Sequence, residues 1–218
     1  MKLSINLNHS SYDIVIQKSI SQDIASYVSD FNQGQKFIVC FSSSLSLYVP
    51  GIISNFKNNN YDIEQLEIND GEKFKSLDYI QHLAHSLMDL NCKRDTVLVA
   101  LGGGTVGDTV GFLSSIFMRG IRYINVPTTL LAMVDSSIGG KTGVNYEGVK
   151  NVLGAFHQPQ LVCIDPLFLK SLDKKQIYSG IGEVIKYGLI SDPKILDNLI
   201  KNYNCIIQVK DLDLISNI

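Results

Sequence analysis

The run Val97-Leu-Val-Ala-Leu-Gly-Gly-Gly-Thr-Val-Gly-Asp108 carries an apolar, β-branched stretch into Gly102, Gly103, Gly104 and Gly107, a G-x-G-x-x-G spacing. Such a stretch reads as a buried strand. The glycines let the backbone turn tightly and approach a ligand. A helix that begins there would aim its first N–H groups at an anion such as a pyrophosphate. The chemistry on offer is binding of a dinucleotide or another phosphate ligand. The spacing is a weak signal by itself, and its strand–loop–helix context strengthens it. No Asp or Glu follows about 20 residues on to hold a ribose. The loop also follows a late strand, which argues against a first-βαβ arrangement. Asp108 either bonds the ligand or caps the helix.

A second cluster starts at Val126-Pro-Thr-Thr129. A strand ending at Pro127 places the hydroxyls of Thr128 and Thr129 where a strand's carboxyl end opens on a crevice. Asp135, Ser136, Ser137, Gly139, Gly140 and Lys141 then fall within seven residues. An acid and a base beside glycines can build a polar substrate pocket. A helix N-cap at Thr128 followed by a glycine turn would account for the same residues structurally. Further on, Glu183 and Lys186 are three apart on one face of an expected helix. A solvated ion pair is the usual outcome, but Ile181, Val184 and Ile185 make this helix read as largely buried, and buried charges need partners, a metal or a function. Arg119 and Lys150 are lone cations whose default place is the surface. Of the four histidines, His82 and His85 share a helix face without a third ligand, His9 falls in a turn and His157 in a loop. With no H-x-x-x-H or H-E-x-x-H, no complete histidine zinc site is legible.

The elements that must position these residues alternate. Lys2–Leu7 and Tyr12–Gln17 read as a hairpin around Asn8-His9-Ser10. Ile20–Ser29 reads as a helix, Lys36–Phe41 as a buried strand, the stretch to about Asn58 as helix-prone, Asp62–Ile68 as a strand and Leu77–Leu90 as an amphipathic helix. Thr96–Leu101, Arg122–Val126 and Leu161–Ile164 are further strands. This rhythm implies an α/β fold: a Rossmann-like, largely parallel sheet with helices on both faces. From about Lys174 the segments turn helical, Lys174–Ile190 and Pro193–Tyr203, with another beginning in Gln208–Ile218. They read as the start of an all-helical second domain.

Composition narrows the function. The chain has 218 residues, 45% of them hydrophobic, enough to bury a core. A net charge of -2 argues against broad electrostatic binding of nucleic acid. The apolar runs are too short to span a membrane, and the N-terminus lacks the apolar core of a signal peptide. Cys40, Cys92, Cys163 and Cys205 are scattered without C-x-x-C spacing and read as reduced thiols of a cytoplasmic protein.

Taken in order, Asp70-Gly-Glu-Lys-Phe-Lys75, Gly102–Asp108, Arg119-Gly120, Pro127-Thr-Thr129, Asp135-Ser-Ser-Ile-Gly-Gly-Lys141, Lys150-Asn151, Gly154-Ala-Phe-His-Gln-Pro159 and Glu183-Val-Ile-Lys-Tyr-Gly188 resemble the 3-dehydroquinate synthase family of sugar phosphate cyclases. Related cyclases share much of this set, and polyol dehydrogenases less. The resemblance implies an NAD-binding α/β domain over residues 1–172 and the beginning of a helical metal- and substrate-binding domain over 173–218, with the active site between. It implies conversion of 3-deoxy-D-arabino-heptulosonate 7-phosphate (DAHP) to 3-dehydroquinate and phosphate, a shikimate-pathway lyase reaction in which NAD is recycled each turnover. The alternatives are another sugar phosphate cyclase or a non-catalytic nucleotide-binding module.

By the same resemblance, NAD is held by Asp70, Gly71, Glu72, Lys73, Phe74, Lys75, Gly104, Thr105, Val106, Gly107, Asp108, Thr128, Thr129, Lys141, Lys150, Phe168, Leu169, Lys170 and Ser171. Lys141, Asp135, Arg119, Asn151 and Lys186 meet the substrate. Glu183 is a ligand of zinc or cobalt. The full-length protein would be a homodimer. Two departures stand out. Ser42-Ser43-Ser44 occupies the place of an acidic or amide residue that contacts adenosine in the family. The family's two zinc-ligand histidines lie well downstream of Glu183, and none of this chain's histidines takes their place by order. The chain is therefore expected to be an N-terminal portion, catalytically incomplete by itself.

Overall fold

The computed structural model describes residues 1–216 apart from 8, 9, 30, 32 and 33. In chain order the strands and helices begin with β1 (Lys2–Ile5), β2 (Tyr12–Ile16), β3 (Lys36–Phe41), α1 (Val49–Asn58), β4 (Asp62–Glu67), α2 (Leu77–Asp89) and β5 (Val97–Gly102). They continue with α3 (Gly104–Ile116), β6 (Arg122–Pro127), β7 (Lys141–Tyr146), β8 (Val149–Phe156), β9 (Leu161–Ile164), α4 (Lys174–Ile190), α5 (Pro193–Ile207) and the short α6 (Leu212–Ile215).

Strands buried on both faces belong in the middle of a parallel sheet, and the two most apolar runs lie there. All six residues of β5 are buried, and β5 pairs in parallel with β3 on one side and β6 on the other. The sheet has seven strands in the order β1-β2-β9-β6-β5-β3-β4. Among the described residues of this sheet, only the β1–β2 pair is antiparallel. Side chains alternate between two cores. Phe37, Val39, Val97 and Val99 meet Ile52 and Phe56 of α1 on one face. Ile38, Cys40, Leu98 and Ala100 meet Leu83 of α2 and Val110 of α3 on the other. Ile177, Ile181 and Val184 of α4 and Leu199 and Ile206 of α5 join the α1-side core.

The structure departs from the sequence reading at several places. Ile20–Ser29 is not one helix but two 3-10 turns, Ile20–Gln22 and Ile24–Tyr27. Ser19 is left-handed, the amides of Ser19 and Ser21 donate to the buried Asp165 carboxylate at 3.0 and 3.2 Å, and Asp23, with φ −137° and ψ 20°, separates the two turns. A two-stranded sheet of β7 and β8 stands where the sequence suggested only a glycine turn and a pocket. Helix α4 buries one face only: Ile181 and Val184 are buried, but Ile185 is exposed. Asn8 and His9 of the expected hairpin turn, and Asn217 and Ile218 of the helix expected to begin in Gln208–Ile218, lie outside the described residues.

Candidate active site

Strands β3 and β5 are neighbours whose following helices leave to opposite faces of the sheet. The order β4-β3-β5-β6-β9 is that of a doubly wound sheet, and such sheets open a ligand crevice at the carboxyl ends where the winding reverses. The glycine loop sits there. Gly102 ends β5, and α3 begins at Gly104 with no side-chain cap on its first turn. A Cβ on Gly104 would lie 2.8 Å from Ser136 Oγ and press on that hydroxyl, so glycine keeps this approach open. Ser136 Oγ is itself buried without a hydrogen-bond partner. A narrow cradle, a helix N-terminus and an unsatisfied hydroxyl fit a phosphate-bearing ligand.

The adjoining helical turn is capped by Thr129, not Thr128. The Thr128 amide is drawn to Gly102 O (2.9 Å) as an extension of the strand pairing, and Thr129 Oγ1 then accepts from the Ala132 amide at 3.2 Å. Asp108 is no cap either. It lies in the second turn of α3 and meets Lys75. The Lys75 side chain is 5% exposed, and its Nζ donates to both Asp108 and Asn151. Burial pushes the Asp108 carboxyl above its ordinary value, against the pull of Lys75. At the rim, Asn145 Nδ2 donates to Glu72 Oε1 at 2.9 Å. That hydrogen bond, more than the nearby lysines, holds Glu72 below the ordinary carboxylate value. Lys150 Nζ lies 3.7 Å from the same oxygen.

Asp108 and Asn151 also line an open cavity of about 630 Å³, with Asp135, Ser136, Lys141 and the apolar Val152 and Phe156. Asp135 is carried on a π-helical turn, Ala132–Ser136, a deformation frequent at functional sites. Its Oδ1 accepts from Tyr187 Oη at 2.7 Å. That bond is the chief reason the Tyr187 phenol is pushed up to about 12, so the phenol stays a donor at neutral pH. Glu183 and Lys186 pair on α4, and this pairing raises the Lys186 ammonium above its usual value. The Lys186 Nζ also lies 4.7 Å from the centre of the Tyr187 ring.

The expected site residues thus fall into several places. Lys75, Asp108, Asn151 and, through Asn145, Glu72 form one hydrogen-bonded chain beside the glycine loop, with Lys150 ion-paired to Glu72 at its end, and Asp135, Lys186 and Glu183 gather around Tyr187. Asp70 and Gly71 form the turn leading in, with Lys73 Nζ 4.8 Å over the Phe74 ring. Val106 is a core residue of α3, and Phe168 and Leu169 are buried in the α1-side core, whereas Lys170 and Ser171 face outward. Arg119 stands apart, exposed in the turn after α3, roughly 20 Å along the helix axis from Gly104. Sequence reasoning gave no role to Asn145 or Tyr187. Glu147-Gly148, a two-residue link between runs that pair, was the available hairpin signal. Nothing local marked Tyr187, since its partner is 52 positions away.

Comparisons with known proteins identify relatives of this chain. A family model of the 3-dehydroquinate synthase N-terminal domain matches residues 65–179. The 3-dehydroquinate synthase of Clostridium tetani is 43% identical over 177 residues, which cover 81% of this chain and 47% of that protein. Among solved structures, 2-epi-5-epi-valiolone synthase from Streptomyces hygroscopicus, with NAD+ and Zn2+ bound, superposes with a TM-score of 0.83 at 28% identity, covering 94% of this chain and 57% of that one. A 2-deoxy-scyllo-inosose synthase complexed with carbaglucose-6-phosphate, NAD+ and Co2+ gives 0.79 at 26% identity, covering 87% and 52%. The chain spans about half the length of the curated relatives it matches.

Proposed function

The chain belongs to the 3-dehydroquinate synthase family, and from that premise we propose that it carries the NAD-binding part of an enzyme converting DAHP to 3-dehydroquinate and phosphate. The observation that supports this most is the Gly104 cradle facing the orphaned Ser136 hydroxyl at the reversal of the sheet. The residues present fit NAD. The first-turn amides of α3 would hold its pyrophosphate, and the Lys75–Asp108 pair and Glu72 would flank it. When bound, NAD supplies a hydride acceptor at one substrate carbon. The protein's own contribution is placement. Lys141, on the cavity wall, offers a cation to an anionic substrate, Asp135 is oriented by Tyr187 to accept a substrate hydroxyl, and Asn151 can present its amide group once Lys75 is held.

We assign Glu183 to the zinc or cobalt of the family. The described residues do not complete such a site: no group of three or more His, Cys, Asp or Glu side chains converges among them, and Glu183 is paired with Lys186. Among the described residues no helix is long and apolar enough to cross a membrane. The reading extends to a cytoplasmic homodimer with 1–172 and 173–218 as its first domain and the start of its second.

Calorimetry with NAD tests the proposal. The chain should bind NAD saturably, and Gly104→Val should abolish binding while the thermal midpoint stays within a few degrees. No heat from the wild-type chain at millimolar NAD would overturn it. A second reading, a cyclase for another sugar phosphate, draws on the two superposed synthases. Phosphate release by the full-length protein from DAHP, against a panel of other sugar phosphates, separates the two.

A further inference from the structure

Strands β7 and β8 pair regularly from Lys141↔Phe156 to Val144↔Leu153 and resume at Tyr146↔Val149. Between these points β7 has one residue, Asn145, and β8 has three, Lys150, Asn151 and Val152. The extra residues form a bulge, a device that re-aims side chains near active sites. Inside it Asn151 is left-handed, with φ 54°, a conformation asparagine tolerates better than most residues. This turns the Asn151 side chain onto the buried Lys75 ammonium.

One side chain fills the gap the bulge leaves in the ladder. Asn145 Oδ1 accepts from the Asn151 amide at 2.9 Å. Asn145 Nδ2 donates to Glu72 Oε1 at 2.9 Å, and the Asn145 amide donates to Lys75 O at 2.8 Å. A half-buried asparagine thus joins the bulge, the rim carboxylate and the backbone of the buried lysine, using both polar atoms of its side chain.

We propose that Asn145 is a positioning residue of the nucleotide cradle: it locks the bulge so that Asn151 takes the Lys75 ammonium, anchors Glu72, and thereby presents the Lys75–Asp108 pair in one orientation. The proposal rests on the NAD reading above. Asn145 need not touch the ligand. Its lowering effect on the Glu72 carboxyl supplies a second observable.

Two variants separate its two tasks. Asn145→Ala removes donor and acceptor together. Asn145→Asp keeps the acceptor for the Asn151 amide and sets a second carboxylate beside Glu72. Hydrogen exchange of the Asn151 amide should quicken about tenfold in Asn145→Ala and stay slow in Asn145→Asp. The Glu72 carboxyl, followed by carbon NMR, should titrate higher in both variants, and most in Asn145→Asp. NAD dissociation constants should rise about tenfold in Asn145→Ala. Unchanged Asn151 exchange in Asn145→Ala would overturn the proposal. So would faster exchange with unaltered NAD affinity, because the bulge would then not serve the cradle. A wild-type chain that binds no NAD would sink the nucleotide reading, and the exchange and titration arms would still decide whether Asn145 sets the bulge.

Discussion

Lys75 is a cation taken out of water, tolerated because Asp108 and Asn151 surround its ammonium. Lys75→Met should destabilise the fold by about 3 kcal/mol at neutral pH in urea unfolding, because it strands a partly buried carboxylate. The sign with pH follows from Asp108, whose folded value already lies above the ordinary one through burial. The folded state then holds that proton more tightly than the unfolded chain. The penalty is full above the folded value and recedes as pH falls through it. Lys75→Met should therefore lose less stability in acid, and adding Asp108→Asn should recover most of the loss at neutral pH. A second residue-scale test is the Tyr187–Asp135 bond. A double-mutant cycle with Tyr187→Phe and Asp135→Asn should give a coupling of about 1.5 kcal/mol, and a coupling near zero would remove Tyr187 as the residue that orients Asp135. Lys75 and Asp108 stood out in the sequence as motif members. Their pairing did not, because they are 33 positions apart and come together only when α2 and α3 pack on the same face.

At the scale of elements, the hairpin of β7 and β8 is what brings Asn151 and Lys141 to the cavity and Asn145 to Glu72. Its turn, Glu147-Gly148, has φ of 46° and 79°, the left-handed pair that two-residue hairpins require. A Cβ on Gly148 would meet nothing within 4 Å, so the effect of Gly148→Ala is conformational alone. It should destabilise the protein by about 1 kcal/mol in urea melts. No change would mean that the turn is free to rearrange. The buried parallel strands were legible because β5 and β3 are apolar on both faces. The hairpin was not, because β8 is exposed over most of its length and lacks the alternation by which a half-buried strand is read. The helix expected over Ile20–Ser29 had suitable residues, but the non-helical backbone of Asp23, with φ −137°, divides it into two short turns.

For the whole molecule, the two cores place three thiols out of reach. Cys40, Cys92 and Cys163 are buried, and Cys205 is partly exposed. Desolvation pushes the Cys40, Cys92 and Cys163 thiols up, so they should resist alkylation in the native state. Native labelling followed by mass spectrometry should find Cys205 modified first and the other three only on unfolding. Early labelling of Cys40 would show that the sheet opens between β3 and its neighbours. The sequence by itself determined the strand–glycine–helix unit, the parallel α/β class and the family, since each rests on local periodicity or on an ordered set of short motifs. Only the tertiary structure decided that the glycine loop lies where the sheet reverses its winding, that Lys75 pairs with Asp108, that Tyr187 holds Asp135 and that Asn145 closes the bulge. These depend on strand order and on groups far apart in the chain. Burial, by making each such group find a hydrogen-bond partner, selects among pairings that no local pattern distinguishes.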